Sequence, residues 1–269
     1  MIIPRHFFLK YMTIKKIFKK NKNILIGMIH LPSLLLMDTP SKMKSAIQNA
    51  LADLSALEQA GFDGALIEND NDKPHTEFAN AFQMANLSII SHEVCKKAHI
   101  PIGVQMMLND WKSSFAIAKS VGAKFTRQDV FVDHVTCDWG EINPDPKKIL
   151  AYKNKIHPEL LLLTDIQVKY KTLVKPRPLT TSARLAIQNG SDGLIITGNA
   201  TGEETPLDKI KKVKHKFSDF PIFVGAGINE KNILEQFTFA NGAIVGSSIK
   251  TKDRIDLQKA IRLQKMCEK

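Results

Sequence analysis

Three polar residues, Asp165, Gln167 and Lys169, stand two apart in the segment Thr164-Asp165-Ile166-Gln167-Val168-Lys169. On an extended strand that spacing sends all three to one face and Ile166 and Val168 to the other. An inward polar row costs stability unless partners, water or a ligand satisfy it. Asp165 and Lys169 therefore read as an acid/base pair. Lys169 could instead form a Schiff base with a carbonyl substrate, hold a phosphate, or pair with Asp165 or Asp129. Two glycine clusters suggest a different task. Gly225-Ala226-Gly227 and Gly246-Ser247-Ser248 remove side chains and offer backbone N–H groups to an anion, although two tight turns would use the same residues. Glu68-Asn69-Asp70-Asn71-Asp72 could collect a divalent cation through oxygen ligands, or be a solvated acidic loop. His30 is a candidate acid or base, or a hydrogen-bonded histidine beneath a loop.

These residues need elements to position them. Short β-rich runs occur at Ile24–Ile29, Gly64–Ile67, Ile102–Met106, Phe125–Val130, Leu160–Ile166, Gly193–Ile196, Ile222–Val224 and Ala243–Val245. Segments with helical periodicity separate them: Lys42–Gln59, Thr76–Lys97, Asp110–Ser120, Asp145–Ile156, Thr180–Gln188, Leu207–Lys216, Glu230–Phe237 and Asp256–Cys267. Parallel strands need crossover helices, and eight such units close a sheet without an edge. The expectation is a single (β/α)8 TIM barrel over residues 23–269, a length near the 250 or so typical of that fold. An open doubly wound sheet is the alternative, but no GxGxxG follows the first strand. In a barrel the site forms at the carboxyl ends of the strands, where the polar residues above are concentrated. The loops after the seventh and eighth strands are a common phosphate seat.

The chain of 269 residues carries a formal charge of +11, from 38 basic and 27 acidic residues. Residues 1–22 hold seven of the basic residues and no acidic one, so the other 247 stand at +4. This basic N-terminal arm also carries Phe7, Phe8, Tyr11, Ile14 and Phe18, spaced for one helix face. The arm could pack on the barrel, or attach to an anionic membrane surface, or touch nucleic acid. No RNA-binding aromatic motif, zinc finger or helix-turn-helix accompanies it, which argues against nucleic acid. No run reaches the twenty or so apolar residues of a bilayer span. Cys95, Cys137 and Cys267 lie far apart with no CxxC pair, which argues against a zinc cluster or a disulfide scaffold and suits a reducing compartment. Cys137 has no cationic cluster beside it in sequence and reads as inert. The expected setting is cytoplasmic. Association into a homo-oligomer is compatible with the fold, though no distinct interface patch is visible.

From Ile14 to Lys250 the chain resembles the BtpA/SgcQ family of (β/α)8 barrels. The motifs, in order, are Gly27-Met28-Ile29-His30-Leu31-Pro32; Ile67-Glu68-Asn69 with Pro74; Leu108-Asn109-Asp110; the Arg127 strand; Asp165 with Val168-Lys169; Ile196-Thr197-Gly198 with Thr201-Gly202; Val224-Gly225-Ala226-Gly227; and Gly242 to Lys250. The resemblance implies the barrel and a phosphate-type site. One branch of the family is linked with photosystem I biogenesis as a peripheral membrane protein; another resembles sugar-metabolism proteins labelled nucleosidases. This chain departs from the family pattern at Gln105 and Asp129, where asparagine is usual. It also departs at Gln167-Val168-Lys169-Tyr170, where the family usually reads His-Val-Lys-His, and at Ser33 to Met37, which replaces a glycine-rich loop.

The leading expectation is an enzyme, or an enzyme-derived barrel, for a phosphorylated sugar or nucleoside-like compound, cleaving a glycosidic or N-glycosidic bond or isomerising its substrate. Asp165, Lys169 and Glu68 would do chemistry. His30, Asn69, Gln105, Asn109, Asp110, Arg127, Asp129, Gln167 and Thr197 would position substrate. Gly198, Gly225, Gly227, Gly246, Ser247 and Ser248 would hold phosphate. No cofactor is firmly implied. The alternatives are a non-catalytic assembly factor attached to a membrane through residues 1–22, and a class I aldolase using Lys169.

Overall fold

Along Ile24-Leu25-Ile26-Gly27-Met28-Ile29-His30, alternate residues serve two different cores. Ile24, Ile26 and Met28 fill the inside of a closed sheet, while Leu25 and Ile29 pack outward on the helices. The same period of two runs through every strand of the computed structural model, which describes residues 5–267. Eight parallel strands make the barrel: β1 (Ile24–His30), β2 (Gly64–Glu68), β3 (Ile102–Gln105), β4 (Phe125–Gln128), β5 (Leu161–Asp165), β6 (Gly193–Ile196), β7 (Ile222–Val224) and β8 (Gly242–Val245). Their order around the ring is β1-β8-β7-β6-β5-β4-β3-β2. Large and small residues share each inner layer. A Cβ on Gly103 would collide with the Phe125 ring, and Gly193 and Gly242 leave room for Phe223.

The crossover helices are α2 (Pro40–Gln59), α3 (Ala81–Lys97), α4 (Trp111–Val121), α5 (Pro146–Ile156), α6 (Leu179–Gln188), α7 (Leu207–Lys216), α8 (Ile233–Phe237) and α9 (Leu257–Cys267). Helix α3 starts at Ala81, later than its periodicity suggests, because Asn80 and Gln83 form a reciprocal capping box. Helix α4 opens on Asp110, whose carboxylate accepts from Ser113 N–H, and ends at Gly122, whose φ of +76° suits a residue without a Cβ.

Ahead of the barrel, α1 (Arg5–Phe18) lies under its amino end. Ile14 and Phe18 are buried in the inner core, and the Phe18 and Phe125 rings sit 5.4 Å apart. Lys15, Lys16 and Lys19 are exposed. The side chains of Phe7, Phe8 and Tyr11 lie outside the described part. Among the described residues, no helix is long and apolar enough to cross a membrane.

At the carboxyl end, the barrel carries a small antiparallel cap. Its three strands, Val135–Cys137, Gly140–Ile142 and Thr172–Leu173, pair around the first of them. They close over Leu108, Val130 and Val168. The strand reading of the sequence leaves these segments as loop, because each is only two or three residues long.

Candidate active site

Counting upward from the inner core in steps of two gives the last inward residue of each strand: His30, Glu68, Gln105, Arg127, Asp165, Thr197, Gly225 and Gly246. Above this ring is a cavity of about 600 Å³, a volume within the usual range for small-molecule sites. Met28 and Ile244 reach its floor. His30, Glu68, Arg127, Gly225 and Gly246 line it; Gln105, Asp165 and Thr197 do not.

Asp165 is held beneath Arg127. Its two carboxylate oxygens accept from Nε and Nη2 of Arg127, each at 2.8 Å, and its side chain is fully buried. Burial pushes the Asp165 carboxyl up from its ordinary range while the guanidinium pulls it back. Burial alone would lower the Arg127 pKa, but Asp165 and Asp129 keep it above its usual value, so the guanidinium stays charged. Asp165 is thus engaged by Arg127 and does not line the cavity. The inward alternation ends there. Gln167 adopts a left-handed φ of +48°, its N–H donates to Asp133 at 2.7 Å, and its amide donates to Arg177 O and Ser182 Oγ, away from the cavity. The polar row of the sequence reading is therefore broken at Gln167. Lys169 still lines the cavity, placed by a loop whose N–H donates to Thr197 Oγ1 at 3.0 Å.

The remaining charges sit close together. The strand register puts His30 beside Glu68, and His30 Nε2 lies 3.6 Å from Glu68 Oε2. Burial pushes the Glu68 carboxyl up to about 7, although Arg127 opposes the shift. Burial, then the charge of Lys250, brings His30 down to about 3, so the imidazole is neutral at ordinary pH. Burial opposes ionisation of Asp129, but Lys171 and Arg127 hold it at about 2. Lys171 lies 3.3 Å from Asp129, and Gln105 donates to the same carboxylate at 2.8 Å. Burial and the neighbouring Arg127 lower the Lys169 pKa.

Several proposed substrate contacts lie in the supporting structure. Asn69 donates to Asp72 and accepts from Met107 N–H. Asn109 accepts from Gln128 and from Val130 N–H. Asp110 caps α4 and accepts from Ala79 N–H. None of the three lines the cavity. Asp72 is occupied by Ser33, Leu34 N–H, Asn69 and Gln83, so it does not join Glu68 and Asp70 around a cation. Among the described residues, no three His, Cys, Asp or Glu side chains converge to hold a metal.

The glycine rim divides similarly. Gly225, Gly227, Gly246, Ser247 and Ser248 all line the cavity, so the two turns share one rim. Gly225 N–H is committed to Ile196 O. Gly227 has a φ of +70°, and a Cβ there would run into the Glu203 carbonyl. Gly246 is less confined: the nearest atom to an added Cβ is His30 Cε1 at 3.6 Å. Gly198 packs on the Glu204 carbonyl outside the lining.

Sequence reasoning did not assign a role to Lys73, His75, Trp139, Tyr170 or Lys171, all of which line the cavity. Lys171 stands two residues beyond Lys169, and Trp139 sits beside Gly140 at a hairpin tip; each is a local signal. Their convergence comes from the cap and the β2 loop.

Comparison with known proteins agrees with this architecture. The structure matches N-(5'-phosphoribosyl)anthranilate isomerase from Pyrococcus furiosus with a TM-score of 0.60 at 11% identity, over 91% of this chain and 98% of that one. It matches KGPDC from Streptococcus mutans in complex with D-R5P at 0.56 and 14%, over 93% and 98%. At these identities the matches show the fold, a TIM barrel. In sequence, the chain is 30% identical over 249 residues to an uncharacterised protein of Pyrococcus abyssi, covering 90% of this chain and 95% of the relative. It is 30% identical over 240 residues to the photosystem I biogenesis protein BtpA of Synechocystis, covering 87% and 83%. The family model described as the BtpA family matches residues 21–269. With barrel, motifs and match in agreement over nearly the whole chain, the protein belongs to the BtpA family.

Proposed function

We propose that this protein is an enzyme acting on a phosphorylated sugar or nucleoside-like compound bound in the cavity at the carboxyl end of the barrel. The observation that carries the reading is the meeting of three features in one cavity: the two-turn glycine rim, the cations Arg127, Lys169 and Lys171, and the buried carboxyl of Glu68. The phosphate would sit against the backbone from Gly227 and from Gly246 to Ser248, within reach of the cations. The structural neighbours, a phosphoribosylanthranilate isomerase and KGPDC in complex with D-R5P, suit the same ligand class.

Glu68 takes the acid/base role. Near neutral pH it is present in both protonation states, so it can give a proton to a leaving atom or take one from carbon or water. Neutral His30 beside it can relay or orient that proton. Lys169 and Arg127 stabilise negative charge that develops on the ligand. This chemistry suits glycosidic or N-glycosidic cleavage and isomerisation. The test is titration calorimetry with ribose 5-phosphate and inorganic phosphate, followed by product detection with Glu68→Gln. Binding retained and turnover lost supports the assignment; unchanged turnover removes Glu68 from the chemistry.

A second reading has its own observation. The exposed Lys15 and Lys16 on α1, with Lys19 just after it, could hold the barrel to an anionic membrane surface, in the service of an assembly role like that named for the Synechocystis relative. Co-sedimentation with anionic vesicles at low salt, lost on changing the three lysines to glutamine, would support it. No sedimentation of the native chain would overturn it.

A further inference from the structure

We propose that the outer part of the cavity, where Trp139 meets His75, seats a flat heteroaromatic ring. The ligand class is then a phosphorylated pentose that carries such a ring, as a nucleoside 5'-monophosphate does. The inference rests on the phosphate-bearing cavity proposed above and adds the group at the other end of the ligand.

Trp139 stands at the tip of the cap hairpin, between the strands Val135–Cys137 and Gly140–Ile142. A hairpin tip usually carries small or polar residues. Here it carries the largest side chain of all, lining the cavity and still 39% exposed. The indole has a fixed attitude. It meets the His75 ring edge to face, with centroids 4.9 Å apart and planes at 79°. That contact lowers the entropy a stacking ligand would have to remove from the indole.

His75 is a buried anchor for the indole. It is buried to 6% exposure, and its Nδ1 has no hydrogen-bond partner among the described residues. Burial lowers its pKa, so the ring is a neutral donor and acceptor rather than a cation. On another part of the wall, Tyr170 is mostly exposed while its hydroxyl accepts from Thr201 N–H at 2.6 Å, which pins the phenol in place. Met107 adds a polarisable thioether. A sugar would need hydrogen-bond partners around its rim. These residues offer flat and apolar surface with few polar points, which suits a planar ring.

The experiment measures affinity for adenosine 5'-monophosphate, ribose 5-phosphate and adenosine on the native chain and on Trp139→Ala and Trp139→Phe. We expect the nucleotide to bind at least tenfold more tightly than ribose 5-phosphate. Trp139→Ala should remove most of that difference while leaving ribose 5-phosphate within twofold, and Trp139→Phe should keep it. Ribose 5-phosphate binding with no gain from the ring, or equal losses for both ligands in Trp139→Ala, would overturn the ring seat alone. Adenosine binding that depends on Trp139, without any binding of ribose 5-phosphate, would keep the ring seat and overturn the phosphate reading. Binding of none of the three would overturn both. Trp139→Phe also guards against a folding artefact, since it retains an aromatic ring at the tip.

Discussion

Arg127 and Asp165 are joined by two parallel hydrogen bonds of 2.8 Å, with the carboxylate sealed below and the guanidinium facing the cavity. Both come from strand positions that face inward, one strand apart in the ring. The pair turns a candidate base into a support for a ligand-facing cation. Removing Asp165 strips the buried Arg127 of its two-bond partner and leaves only Asp129, 3.6 Å from Nε, as a close carboxylate. Asp165→Ala should therefore lower the unfolding free energy by about 3–5 kcal/mol in urea titration. A loss below about 1 kcal/mol would show that Arg127 does not depend on Asp165.

Glu68 and His30 bend the pH dependence of stability in opposite directions. The folded-state Glu68 pKa of about 7 lies above its ordinary 4.5, so its contribution is full below 4.5 and is lost as pH rises to 7. The folded-state His30 pKa of about 3 lies below its ordinary 6.5, so stability is lost as pH falls from 6.5 toward 3. Between 4.5 and 6.5 the two slopes oppose each other. Glu68→Gln removes one of them, and chemical denaturation at several pH values should then show stability rising with pH across that window. A flat profile in both proteins would count against the raised Glu68 pKa.

The glycine rim contains one position where a methyl group tests ligand binding without disturbing the fold. Gly227→Ala must strain a positive φ and strike the Glu203 carbonyl, and Gly225→Val would press on Ile195 and Thr197, so both should lower stability. Gly246→Ala meets only ordinary contacts. It should unfold within about 0.5 kcal/mol of the native chain yet bind ribose 5-phosphate several-fold more weakly. Unchanged affinity in calorimetry would remove the β8 turn from the phosphate seat.

The foot of the barrel depends on α1. Phe18 is 3% exposed and fits over Gly64, where even a Cβ would approach its ring to 2.9 Å. Phe18→Ala should cost about 3–5 kcal/mol, whereas Met12→Ala, at an exposed position, should cost less than about 0.5 kcal/mol. Equal melting curves for the two variants would show that α1 does not plug the barrel. The same packing means that deleting residues 1–20 would confound any vesicle experiment, and charge substitution is the cleaner route.

The amino-acid sequence by itself determined the eight strands and the helices between them. Those features follow from local rules: a period of two in a strand, 3.6 in a helix, and caps such as Asn80 and Asp110. Residue type and place at a strand's carboxyl end reached His30, Glu68, Arg127, Gly225 and Gly246. Tertiary structure decided what position along the chain could not: which residues face inward together and which covers which. Asp165 and Arg127 are alike to a sequence pattern, yet one lies beneath the other because their strands bring the two side chains together at unequal depth. The left-handed turn at Gln167, held by Asp133 from 34 residues away, ended an alternation that looked continuous. The cap that delivers Trp139 to His75 is built from strands of two or three residues, too short to carry a period and stable only through pairing and the shared core beneath them. Accessibility is a property of the whole packed ring, so the chemistry of the mouth became readable only when the strands were closed around it.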